Sequence, residues 1–278
     1  MYRVSPGPLP LTPYMHFPRF LAAGTLLSLL TTATTTRAQT SGPSAQPWGS
    51  WFIGTVQLPG SQEHRWGGFA EGQARANALF RRVFYYELKG GLSYDIDKNF
   101  TVLLGGGRYA THDDRNWDAG PLSVEKRLWG QMVLSQYASR LKLEHRYRVE
   151  RRWFSYRADS TGTRSRLRYR LNCFLPLNHR ALGPKTVFLS VYDELFLNPK
   201  GPVLERNRVY AGAGYQFNKA LTAQVGWLLQ ANYFPAAFRQ GQFVPQTTAA
   251  KHNVVLALSY RLPRGNATAP ERFPSQQD

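Results

Sequence analysis

Guanidinium groups at alternate positions are the sharpest chemical feature of this 278-residue sequence. In RLKLEHRYRVERRWF, residues 140–154, the even positions read Arg140, Lys142, Glu144, Arg146, Arg148, Glu150 and Arg152. In TRSRLRYRLNCFL, residues 163–175, Arg164, Arg166, Arg168 and Arg170 alternate in the same way. Glu87 and Lys89, Arg127, Glu194, and Arg206 and Arg208 extend the set. A guanidinium offers a planar fork of N–H donors that fits carboxylates and other oxyanions. Rows of such groups support two kinds of chemistry. They lock onto Glu side chains as internal ion pairs, or they line a path that favours anions.

Other chemistries find little support. The formal charge is +18, from 35 Lys+Arg against 17 Asp+Glu, which attracts anionic partners. One cysteine, Cys173, allows no internal disulfide and no Cys-rich zinc site. His64, His112, His179 and His252 are too scattered for metal ligation, so no metal and no cofactor is expected. His145 lies on the parity opposite to the charges, with no Ser and acid partner at matched positions, and no GxSxG occurs. The glycines at 105–107 do not open a GxGxxG turn. No catalytic residues are therefore assigned, and the chain is read as a non-enzyme.

The elements that position the arginines follow from period two. Odd positions opposite the first row read Leu141, Leu143, His145, Tyr147, Val149, Arg151 and Trp153. One face is charged and the other mostly apolar, as in a strand whose side chains alternate across a sheet. A helix would spread these charges around its circumference. Similar alternation runs through 205–217, 220–233 and 251–262, and more weakly through 67–76 and 83–95. Further strands are expected at 48–57, 99–111, 124–136 and 185–198, which with 140–154 and 163–176 makes eleven candidates. Tight turns at 97–99, 138–139 and 218–219 alternate with long loops at 112–121, 156–163 and 234–250. That rhythm suits an up-and-down meander with turns at one end and loops at the other.

An apolar run at 20–30, preceded by Arg19 and followed by Thr36-Arg37-Ala38, reads as a secretory signal peptide over 1–38. A start at Met15 would give its basic region ordinary length. A short segment (39–46), a barrel (47–262) and a polar, disordered tail (263–278) are expected after it. Export and strand length favour an antiparallel, up-and-down transmembrane β-barrel, apolar outward and charged inward, in the outer membrane. Tyr94, Trp153, Phe217, Tyr233 and Tyr260 sit near the ends of apolar faces, where an aromatic belt meets the lipid interface. Bacterial single-chain barrels have even strand numbers, so ten or twelve strands are expected.

Three stretches carry a family likeness: NRVYAGAGYQFNKALTAQVGWLLQ, FLSVYDELFLN and RLKLEHRYRVERRW. They resemble a family of exported Gram-negative proteins with a domain of unknown function, similar to small outer-membrane β-barrels, across residues 47–262. The resemblance implies the barrel and its location and brings no catalytic residues. The expected partners are outer-membrane lipid and small anions, with no nucleic acid. Two roles follow for the charged lumen. One is a structural or interaction barrel held by Arg–Glu pairs, and the other is an anion-preferring conduit. A lipid-modifying barrel enzyme is a third, remote reading.

Overall fold

Period-two patterning becomes an inside–outside division of one closed wall. The structure, a computed structural model, describes residues 48–61, 63–239 and 241–264. The expected signal peptide, segment 39–46 and tail residues 265–278 lie outside the described residues. Residue 264 is described, and it is tied down: Arg264 donates to the carbonyls of Pro59, His64 and Trp66 at 3.1, 2.8 and 2.5 Å.

The barrel strands are β1 (Trp48–Leu58), β2 (Trp66–Ala78), β3 (Arg81–Asp95), β4 (Phe100–His112), β5 (Pro121–Ala138) and β6 (Leu141–Tyr156). They continue with β7 (Thr161–Pro176), β8 (Thr186–Leu197), β9 (Leu204–Gln216), β10 (Leu221–Phe234) and β13 (Thr247–Arg261). Between β10 and β13, β11 (Ala237–Arg239) and β12 (Gln242–Val244) form a separate small hairpin.

All eleven candidate strands are present and close into one barrel. The all-β, up-and-down architecture is as expected, but the count of ten or twelve is not. Neighbours pair antiparallel everywhere except at the seam, where β1 and β13 run parallel from Trp48↔His252 to Gln57↔Arg261. An even count presumes an antiparallel seam with both termini at one end. A parallel seam closes an odd number, so β1 starts at one end and β13 finishes at the other. Hydrogen-bonded partners traced from Ile53 through β2 reach Gly162 in β7, and traced through β13 they reach Pro176. That stagger of 14 residues tilts the strands by roughly 40°.

The end where β1 begins carries the connections 113–120, 157–160, 198–203 and 235–246 and is termed the loop end. The opposite, turn end carries 96–99, 139–140 and 217–220. The rhythm has exceptions: the two-residue turn 79–80 lies at the loop end, and the longer connections 59–65 and 177–185 at the turn end.

Outward positions are mostly apolar, with Leu88, Leu104, Val149, Val191 and Val225 all exposed. Rings gather at both ends of this band. At the turn end Tyr94 meets Trp66 edge-on at 5.1 Å and Phe217 meets Tyr215 at 4.8 Å, and Tyr260 stands at the same end of β13. Trp153 and Tyr233 lie toward the loop end. Inside, close packing needs small residues opposite large ones. Gly105 and Trp129 are register partners, and a Cβ on Gly105 would lie 2.4 Å from the indole.

Candidate functional site: the packed lumen

The inward face of β6 to β9 holds the arginine rows. Register sets Arg146 opposite Arg170, Arg170 opposite Glu194, and Glu194 opposite Arg208. Glu194, fully buried, accepts hydrogen bonds from Arg168 at 2.9 and 2.7 Å and from Arg146, and Arg208 stands at 3.8 Å. Glu150 accepts two from Arg166, at 2.9 and 2.6 Å, and one from Arg168 at 2.8 Å, with Arg148 at 3.6 Å. Arg168 thus joins both carboxylates. Glu205 lies 3.4 Å from Arg152 and 3.6 Å from Arg166 near the loop end.

Aromatic rings share the work of holding these cations. The Phe196 ring has the guanidinium carbons of Arg166, Arg168, Arg206 and Arg208 at 4.9, 4.5, 5.5 and 4.7 Å. Arg170 stands 4.8 Å from the Tyr192 ring, and Arg148 stands 5.1 Å from Trp129. The negative face of a ring attracts a cation most strongly where water is excluded. Neutral acceptors add to this: Gln131 takes Arg148 at 2.8 Å, Gln230 takes Arg208 at 2.9 Å and Asn232 takes Arg206 at 2.6 Å.

On β2 to β5 the charges are paired more evenly. Lys89 bridges Glu71 at 2.7 Å and Glu87 at 2.5 Å. Arg75 lies 3.4 Å from Glu87 and stacks between the rings of Trp51 and Tyr85, at 3.9 and 4.3 Å. Glu125 holds Arg127 and Arg152, each at 2.5 Å, while Arg127 also covers the Tyr109 ring at 3.6 Å. Lys142 and Glu144 pair at 3.2 Å along β6.

Of the sixteen charged positions assigned to the lumen, thirteen are buried: Glu87, Lys89, Lys142, Glu144, Arg146, Arg148, Glu150, Arg152, Arg166, Arg168, Arg170, Glu194 and Arg208. Arg127 and Arg206 are half-buried. Arg164 differs: it has the inward parity but sits at the loop-end rim, exposed, beside the Phe154 ring at 5.6 Å. Arg140 belongs to a turn and donates to the carbonyls of Pro176, Leu177 and His179. Among the aromatics expected at the lipid interface, Trp153, Phe217 and Tyr260 are exposed, and Tyr94 and Tyr233 half-buried.

Sequence reasoning missed Glu125 and the inward rings Trp51, Trp129, Tyr192 and Phe196. Glu125 shares the parity of Arg127 two residues on, which was a usable signal. Trp129 shares the parity of Arg127, and Tyr192 and Phe196 that of Glu194, but aromatics on a barrel strand read first as lipid-facing.

Beside the packed wall, an open cavity of about 1000 Å3 lies against β1, β2, β9, β10 and β13 and reaches Glu87 on β3 and Val187 on β8. Ile53, Gln73, Glu87, Gly214, Gln224 and Ala257 in its lining have the inward parity, and the rest, Phe52, Tyr215, Val225 and Leu258 among them, the outward one. Gln73 accepts Arg75 on its oxygen at 2.8 and 2.5 Å, which fixes its amide orientation. On the outer face, His145 Nδ1 lies 2.9 Å from the Tyr169 hydroxyl, and Asn207 donates to Asp193 at 2.5 Å.

No functionally curated protein matches the chain. Among solved structures it is similar to the NanC porin, at 10% sequence identity over 77% of this chain and 98% of that one, with a TM-score of 0.43. The pattern of a family described as a protein of unknown function, DUF2490, matches residues 48–241. The chain belongs to the DUF2490 family.

Proposed function

We propose that this chain is an outer-membrane β-barrel whose lumen is closed at rest by its own Arg, Glu and aromatic side chains, and whose role is structural or one of interaction. The observation that carries this reading is the inverted distribution of chemistry. A soluble barrel hides its apolar side chains and wets its charges. Here Arg146, Arg166, Arg170 and Glu194 are enclosed, while Leu88, Leu104 and Val149 are more than half exposed. That arrangement is stable when hydrocarbon surrounds the wall. Strands of 11 to 18 residues span a tilted path through it.

Two measurements test the proposal. Folded protein should migrate faster than heated protein on a gel and should float with phospholipid vesicles. Recovery as a soluble periplasmic protein would overturn the membrane reading. In planar bilayers the wild type should show no reproducible single-channel steps, because guanidiniums and carboxylates from β6 to β9 project inward and lock onto one another.

The second reading, an anion-preferring conduit, is favoured by one observation. The inward faces of β6 to β9 carry more cations than carboxylates, beside an unfilled cavity. It requires conductance steps with anion-selective reversal potentials, and cation selectivity would remove it. Phospholipid hydrolysis by the purified protein, with or without calcium, would replace both readings with an enzymatic one.

A further inference from the structure

Cations on the outward faces of the strands are gathered instead of scattered. Arg81 and Arg82 open β3 at its tip. Beyond them, the outward cations among the described strand residues are Arg108 on β4, Lys126 on β5 and Arg151 on β6, all exposed. These are three consecutive strands. Each residue lies four or five positions from the loop end of its strand. Arg108 and Lys126 are direct register partners, and Arg151 pairs with Leu128, the next outward position after Lys126.

Like charges opposed in register weaken a sheet, and a cation on a lipid-facing wall is costly unless it reaches the interface or a counter-charge. No carboxylate among the described residues pairs with any of the three. Their contacts are neutral: Arg108 donates to the Tyr86 hydroxyl at 3.0 Å, and Arg151 to the Ser165 hydroxyl at 3.0 Å. Rings of the type found at headgroup level frame the patch. Trp153 is the register partner of Lys126, and Trp117, from the loop 113–120, packs 6.4 Å from Tyr86.

We infer that Arg108, Lys126 and Arg151 form a site on the outer wall for the phosphate of an anionic membrane lipid. The inference rests on the membrane reading above. A lipid phosphate at this height supplies the missing counter-charge and matches two guanidinium forks and an ammonium. The lipid tails then lie along Leu104, Leu128 and Val149, the exposed apolar positions toward the middle of the same strands.

Native mass spectrometry of the detergent-solubilised protein, titrated with phosphatidylglycerol or with phosphatidylcholine, tests this. The wild type should retain phosphatidylglycerol in preference to phosphatidylcholine. Arg108→Gln, Lys126→Gln and Arg151→Gln should each weaken that retention about fivefold, as expected for one basic side chain near an anionic surface. Lys219→Gln, in the turn-end connection, should leave it unchanged. Equal phosphatidylglycerol affinity in the triple variant and the wild type would overturn the site. Displacement of the lipid by inorganic phosphate would do so too, since it marks a general anion patch. Heat-modifiable migration verifies that each variant is folded, and the two-lipid comparison on wild type needs no variant. Failure of the membrane reading shows separately, as wild-type protein that stays soluble without detergent.

Discussion

The lumen has two walls built from the same residue types in different ratios. On β2 to β5 the inward charges are Arg75, Lys89 and Arg127 against Glu71, Glu87, Asp95 and Glu125, three cations to four acids. On β6 to β9, excluding Arg164 at the rim, nine cations face Glu144, Glu150, Glu194 and Glu205. On the balanced wall Lys89 lies between Glu71 and Glu87, and Arg127 pairs with Glu125. The arginine-rich wall shares each carboxylate among several guanidiniums and leans on Phe196, Tyr192 and Trp129 for the rest. Losing a shared acid removes the counter-charge of several guanidiniums at once, so the two walls should respond differently to the same chemical change.

Glu194→Gln tests this most severely. It removes the counter-charge of Arg146, Arg168 and Arg208 in a buried setting. Breaking a buried pair from one side typically costs about 3–5 kcal/mol, because it strands the remaining charge. Urea titration followed by heat-modifiable migration should show a loss of that size. Glu87→Gln is the matched change on the balanced wall. Lys89 keeps Glu71 at 2.7 Å and Arg75 keeps two rings, so the loss should be nearer 1–3 kcal/mol. Equal losses at the two positions would erase the distinction between the walls.

Shape sets the next effect. Gly105→Ala, on the balanced side, drives a methyl into the Trp129 ring that carries Arg148 on the other side. Overpacking of this kind costs roughly 1–3 kcal/mol. Because Trp129 connects both walls, its displacement should also loosen Arg148. The combination with Glu150→Gln should therefore be non-additive. Independent losses would place the two walls in separate packing units.

How much of this was legible in the sequence follows the same division. The arginine-rich wall declares itself, because β6 and β7 alternate charged and apolar residues almost without interruption and a one-residue shift would reverse every side chain. The balanced wall is written in Gly, Ala and Gln with a few charges, so Glu125 passed unnoticed beside Arg127. The strand count was misjudged for a different reason. Each strand was visible, but the seam is a relation between β1 and β13, and no residue within either one states that they run parallel. Arg164 was placed in the lumen by parity alone, which gives the face of a strand and not the height along it. The cavity was invisible for a similar reason: Ile53, Gln73, Gly214, Gln224 and Ala257 are distant in sequence and meet only through register.

The cavity also gives the smallest test. Ala257 lies on β13 between the walls, inward and half-buried, packed against the cluster of Trp51, Ile53, Tyr192, Tyr210, Leu228 and Val255 at the edge of the open cavity. Ala257→Leu adds apolar volume at the edge of that cluster, where the open cavity takes up part of it, so little overpacking strain is expected and stability should change by less than about 1.5 kcal/mol. Its informative readout is transport. If the lumen is closed by the arginine-rich wall, filling the cavity changes nothing in a bilayer recording. If small anions pass along the uncharged strands instead, Ala257→Leu lowers their conductance while leaving the barrel as stable as before. A drop in conductance without a drop in stability would move the functional surface from the packed wall to the cavity beside it.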